Sequence, residues 1–238
     1  VCPICSRPAS GSLEKRRAEP CEADGRNGKP TSPAAKQCMI AIKPAVQYNT
    51  HTSYRSLRSY EIITGLESYC MIEVYPNLFV GNRHDYETIV SGQTGWAIVH
   101  ACKQYHRKTL GYKTWRAPKT HPEYLVARRE NRIMLCLLDL PIPLFISKEM
   151  IDQALDFIHS MHTSGLKVMV HCMQGRSRSA SITLLYLATR LHVLPTDSFE
   201  AAEEQFRQLY PRYRPSGGIR SHVRRYWQHY CANGKRNQ

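Results

Sequence analysis

A chain of 238 residues with 42% hydrophobic and 22% charged residues can bury a sizeable core, which excludes a wholly disordered polymer. Its 33 Lys and Arg against 19 Asp and Glu give a net charge of +14, which favours acidic partners (phosphorylated proteins, anionic lipid headgroups, nucleic acid) without choosing among them. Nine scattered cysteines, no apolar run of about 18 residues and no basic-then-apolar leader fit a reducing, cytoplasmic setting without a transmembrane segment.

Residues 1–70 differ from the rest. From Arg7 to Gln37 there is almost no large apolar residue and no periodicity, so 1–70 is expected to be a disordered extension. The chain begins with Val, which fits a fragment or a start placed too far upstream. Met39 and Met71 are candidate starts, and Met71 is the better one because patterned sequence begins there. Cys2, Cys5, Cys21 and Cys38 offer four thiols, but only the first pair has zinc-ligand spacing, so no metal is expected.

From Met71 to Gln238 strands and helices alternate. Leu78 to Val80 reads as a short strand and Trp96 to His100 as a buried one. Lys103 to Asn131 is polar, basic and long for a strand connection, and is expected to be a loop. It carries Lys103, His106, Arg107, Lys108, Lys113, Arg116 and Lys119 among Tyr105, Tyr112 and Trp115. Two readings stay open for it: a wall of the site selecting negatively charged substrates, or a variable surface insertion. Ile133 to Leu138 is another buried strand. Ser147 caps a helix with Ile151, Leu155, Ile158 and Met161 on one face, which Gly165 ends. Lys167 to His171 is a strand and Ser179 to His192 an apolar helix. Pro195 to Asp197 starts a helix running to about Tyr210, and a last one spans Gly218 to Tyr230. This order predicts an α/β fold with a central, mainly parallel sheet flanked by helices. Cys102 and Cys136 fall on or beside strands and read as core residues.

The chemistry concentrates in His171-Cys172-Met173-Gln174-Gly175-Arg176-Ser177-Arg178-Ser179, between a strand and a helix. A loop there can curl so that the amides of Met173 to Arg178 and the following helix N-terminus cradle a dianion. Gly175 permits the curl. Arg178 returns over the same anion, and its planar guanidinium can grip two phosphate oxygens. The same field favours a nucleophilic thiolate at Cys172. Ser179 can hydrogen-bond the sulfur when it leaves, and His171 orients the loop.

This string resembles the His-Cys-x5-Arg-Ser pattern of the protein tyrosine phosphatase superfamily. The continuation Ser179-Ala180 and the helix after it look like the dual-specificity branch. Tyr75-Pro76-Asn77-Leu78-Phe79-Val80-Gly81 is similar to that family's opening strand. Phe157-Ile158 with Gly165-Leu166-Lys167-Val168 is similar to its approach to the loop, and Tyr210 to Pro215 to its late helix boundary. The resemblance covers about Met71 to Trp227. It implies Asp139, 33 positions before Cys172, as general acid and then base, in a Leu-Asp-Leu-Pro context unlike the Trp-Pro-Asp of tyrosine-specific members. Asp152 is the rival acid. The implied activity is hydrolysis of phosphotyrosine and phosphoserine/threonine in proteins through a cysteinyl-phosphate, with no cofactor. A phospholipid headgroup or RNA 5′ phosphate, or a non-enzymatic phosphate-binding role, are the alternatives. Arg176, basic where protein phosphatases often carry an apolar residue, looks like lipid-directed relatives. It contacts a second phosphate on one reading and is a solvated loop charge on the other. Ser216-Gly217-Gly218 stands where Asn is frequent and receives no role.

Overall fold

The computed structural model of the protein describes residues 71–236. The expected disordered extension over residues 1–70, with the four cysteines at which no metal is expected, lies outside the described residues. Six strands form one sheet in the order β1-β2-β6-β3-β5-β4. They are β1 (Ile72–Tyr75), β2 (Leu78–Gly81), β3 (Trp96–His100), β4 (Val126–Arg129), β5 (Arg132–Leu135) and β6 (Lys167–His171). The four central strands pair in parallel, β2 with β6, β6 with β3 and β3 with β5. The edges β1 and β4 are antiparallel to their neighbours. The mainly parallel sheet read from sequence is therefore present.

Both faces of the central strands are covered, which is why they read as continuous apolar runs rather than alternating ones. One face carries Leu78, Val80, Ala97, Val99, Ile133, Leu135, Val168 and Val170 against the helical layer. The other carries Phe79, Trp96, Ile98 and Met169 against Tyr86 and Val90. The latter two lie on a short α1 (Arg83–Asp85) that continues as a π-helical turn, Tyr86–Val90. The helical layer holds α3 (Lys148–Thr163), α4 (Arg178–Thr189), α5 (Phe199–Leu209), α6 (Gly217–Arg225) and α7 (Trp227–Arg236). α4 is buried along its whole length, so it carries no solvent-facing polar stripe.

Ser147 caps α3, its side chain accepting from the Met150 N–H, and Gly165 follows at φ 84°. Among the described residues no helix is long and apolar enough to cross a membrane.

Two expectations are corrected, and one strand is added. Residues 103–131 are not one loop: they open with α2 (Lys103–Leu110), ended by Gly111 at φ 72°, and close with β4. The helix was obscured because its inward face is short and includes His106, which is buried between Tyr112 Oη and the Glu123 carbonyl. The last helix is two, α6 and α7, parted at Tyr226. β1 forms a hairpin with β2 through Pro76-Asn77, where Asn77 tolerates φ 61°.

Candidate active site

Parallel pairing brings the C-terminal ends of β2, β3, β5 and β6 to one edge of the sheet, where open α/β sheets place their ligands. The Cys172 loop leaves β6 there, between β2 and β3, and runs directly into α4. Cys172 is fully buried, and its sulfur receives two donors, the Gly175 N–H at 3.3 Å and Ser179 Oγ at 3.2 Å. Donors aimed at sulfur suit a negative charge there.

Gly175 is required twice over. Its φ is 76°, and a Cβ would stand 2.9 Å from the Gly81 carbonyl carbon at the end of β2. Tyr210 Oη donates to the Gly175 carbonyl at 2.8 Å, and the Arg214 N–H donates to the Arg176 carbonyl at 2.8 Å. The outer side of the loop is thus held by the chain between α5 and α6. Met173 is half-buried, whereas Gln174 and Arg176 point to solvent.

Arg178 is buried. Its Nη1 donates to the Leu137 carbonyl at 3.2 Å, and Nε lies 3.4 Å from Asp139 Oδ2. Asp139 also accepts from Ser177 Oγ at 2.8 Å, and that hydroxyl oxygen in turn accepts the Ser216 N–H at 2.9 Å. The structure therefore brings Cys172, Ser177, Arg178, Ser179 and Asp139 together. The rival Asp152 is elsewhere, on α3, accepting from His229 and Asn233 of α7.

His171 lies behind the loop rather than in it. Its Nε2 is 2.6 Å from His100 Nδ1, and its ring stacks on Tyr86 at a centroid distance of 4.7 Å. Burial lowers the pKa of His171 to about 4 and of His100 to about 2, so the pair is neutral and shares one proton between the facing nitrogens. Burial pushes the thiol of Cys102 up to about 12, as befits a core residue, and Cys136 is buried as well. Cys102, Cys136 and Cys172 are free thiols, and no group of three His, Cys, Asp or Glu able to hold a metal occurs among the described residues.

Several supports were not singled out from sequence. Asn82 and Asp85 form a reciprocal capping box on α1, which packs beside the loop through the Arg83 N–H and the Met173 carbonyl. Burial raises the pKa of Asp85, with the Asn82 amide and Arg212 opposing the shift. An Asn three residues before an Asp was the available signal.

Gly217 and Gly218 let the start of α6 press on the chain after Asp139. The Gly218 N–H donates to the Leu140 carbonyl at 3.0 Å, and a Cβ on Gly218 would lie 2.4 Å from the carbonyl oxygens of both Leu140 and Ile142. The two adjacent glycines at a helix start were the available signal.

Residues 129–220 match the family model for the dual specificity phosphatase catalytic domain. Dual specificity protein phosphatase 1-B of Xenopus laevis is 39% identical over 68 residues, 29% of this chain and 18% of that protein. Human dual specificity protein phosphatase 1 is 35% identical over 68 residues, with the same two coverages. Phosphatidylglycerophosphate phosphatase PTPMT1 of Arabidopsis thaliana is 39% identical over 66 residues, 28% of this chain and 18% of that protein. The chain thus spans less than a fifth of the length of these curated relatives. A crystal structure of DUSP15 superposes with a TM-score of 0.49 at 18% identity, covering 71% of this chain and 97% of that one. Residues 129–220 thus resemble a dual specificity phosphatase catalytic domain.

Proposed function

We propose that residues 71–238 form a catalytic domain that hydrolyses phosphomonoesters, with phosphotyrosine and phosphoserine/threonine of proteins as substrates. The observation that carries this reading is the buried Cys172 sulfur with donors from Gly175 and Ser179, closed over by the Arg178–Asp139 pair. A phosphate dianion entering the loop takes the amides from Met173 to Arg178 and the Arg178 guanidinium. It thereby replaces Asp139 as the partner of Arg178 and frees that carboxyl for proton transfer.

Cys172 thiolate attacks phosphorus in line. The P–S bond forms, the bond from phosphorus to the leaving oxygen breaks, and the Asp139 carboxyl gives that oxygen its proton. Water then attacks the cysteinyl-phosphate, Asp139 takes a proton from it, and the P–S bond breaks with Ser179 Oγ donating to the departing sulfur. His171 holds the loop's base through its neutral pair with His100. No cofactor enters these steps. The free thiols of Cys102, Cys136 and Cys172 support a cytoplasmic setting.

One observation favours a phospholipid headgroup as the second reading. Arg176 projects to solvent from the loop itself, where it can meet a second phosphate, and one relative is a phosphatidylglycerophosphate phosphatase by name.

The test is hydrolysis of para-nitrophenyl phosphate by the full chain and by residues 71–238, with chelator, beside Cys172→Ser. Turnover that resists chelation and falls to background in the variant is expected. Turnover retained by Cys172→Ser would refute the thiolate mechanism. A folded chain that binds phosphate without hydrolysing any ester would be a binding module. Phosphopeptide and phospholipid panels then rank the substrates.

A further inference from the structure

Among the described residues, the exposed large apolar side chains fall on two loops: Trp115 is 57% exposed, Ile142 56%, Leu144 49% and Phe145 39%. Isolated exposed apolar residues are ordinary, but a group on adjoining loops marks an interaction surface. The loops adjoin through Arg116, whose Nη2 donates to the Phe145 carbonyl at 3.3 Å and whose guanidinium carbon lies 4.2 Å from the Phe145 ring centroid. Lys103 does the same for Trp115, with Nζ 3.8 Å from the ring centroid and 3.1 Å from the Trp115 carbonyl. Ile142 is three positions after Asp139, so this surface borders the candidate site. Phe145 sits at φ 68°, a conformation bulky residues rarely adopt, so the loop enforces its placement.

The charges placed against the two exposed rings, Lys103 and Arg116, are both positive. Residues 103–119 hold six Lys and Arg and no Asp or Glu. Each exposed ring has a cation over its face, so apolar surface and positive charge are interleaved. That combination suits the headgroup region of an anionic bilayer, where ring, aliphatic tip and cationic head all find partners. A folded protein partner would have to match those cations one by one.

We propose that Trp115, Ile142, Leu144 and Phe145, with Lys103 and Arg116 over the two rings, dock the chain on an anionic lipid surface. Docking needs no turnover and is measured whether or not Cys172 reacts. It would hold the mouth of the Cys172 loop close to the bilayer.

The full chain is floated with vesicles of phosphatidylcholine alone and of phosphatidylcholine mixed with phosphatidylserine. Of the three tryptophans Trp96 and Trp227 are buried, so quenching by lipids brominated on the acyl chains reads Trp115. The expected result is flotation with the anionic vesicles only, with quenching. Leu144→Ser combined with Phe145→Asn, the Asn chosen because it accepts positive φ, is expected to lower the partition about tenfold or more. It is expected to leave the melting temperature and turnover of a small aryl phosphate unchanged. Should that pair unfold the chain, Trp115→Ala at a largely exposed position gives the same comparison by flotation.

Three results would overturn docking. They are no flotation, flotation without quenching, and full flotation of the variants, which would place binding on basic residues elsewhere. A concentration-dependent dimer weakened by the same variants, with no vesicle binding, would assign the surface to a second copy of the chain instead.

Discussion

Gly218→Ala tests whether the start of α6 positions the proposed acid. The added methyl would lie 2.4 Å from the carbonyl oxygens of Leu140 and Ile142. Carbon and oxygen settle near 3.3–3.6 Å, so helix and loop must part by about 1 Å. Both oxygens belong to backbone, and no side-chain rotation relieves the contact. The Gly218 N–H to Leu140 bond at 3.0 Å lengthens with the same movement. Asp139 is one residue before Leu140, so its carboxyl shifts against Ser177 and Arg178.

A misplacement of about 1 Å costs on the order of 10²-fold in rate, about 2.7 kcal/mol of barrier. That loss is expected only where protonation of the leaving oxygen limits the step. The assay is therefore kcat/KM for a series of aryl phosphates of increasing leaving-group pKa. Gly218→Ala should match the parent for the most acidic phenol and fall away steadily for the least acidic, in parallel with Asp139→Asn. Overpacking adds a stability cost of roughly 1–3 kcal/mol, read separately by thermal melting. An equal loss across the series in a folded variant would show that the seat shapes the phosphate loop and not the acid. No loss at all would refute the geometric reasoning.

Two further outcomes are expected. Ser179→Ala removes one of the two donors to the Cys172 sulfur, so breakdown of the cysteinyl-phosphate should slow, by on the order of 10²-fold. Rapid-mixing kinetics should then show a burst of phenol release near one per chain, and a uniformly slow reaction without a burst would remove Ser179 from the second step. His222 is buried against Tyr230 Oη at 2.7 Å, and burial, helped by Lys148 and His229, lowers its pKa to about 4. A neutral buried His contributes stability that is present above its unfolded pKa near 6.5 and is lost as pH falls toward 4, up to roughly 3 kcal/mol in all. The urea midpoint should drop between pH 7 and pH 5, and less steeply in His222→Gln. Equal slopes would mean that the His222 charge is solvated.

The Cys172 loop was legible because its chemistry is local. Strand, tight curl and helix N-terminus follow one another within a dozen residues, and Gly175 sits where the backbone needs positive φ. The buried strands Trp96–His100 and Lys167–His171 were legible to the residue because both their faces are covered, which leaves continuous apolar runs. The Ser147 cap was legible for the same local reason.

The edge strands β1 and β4 and the helix α2 escaped, since short, half-polar elements acquire their shape from neighbours distant in sequence. Asp139 entered through family resemblance alone, because no pattern along the chain ties position 139 to Ser177, 38 residues away. The Leu137 carbonyl that holds Arg178, the Tyr210 hydroxyl on Gly175, the neutral His100–His171 pair and the two-glycine seat of α6 are all of this second kind. Local spacing fixes backbone geometry over a few residues. Which carbonyl, hydroxyl or ring meets the loop is decided only when the parallel sheet draws four strand ends to one edge.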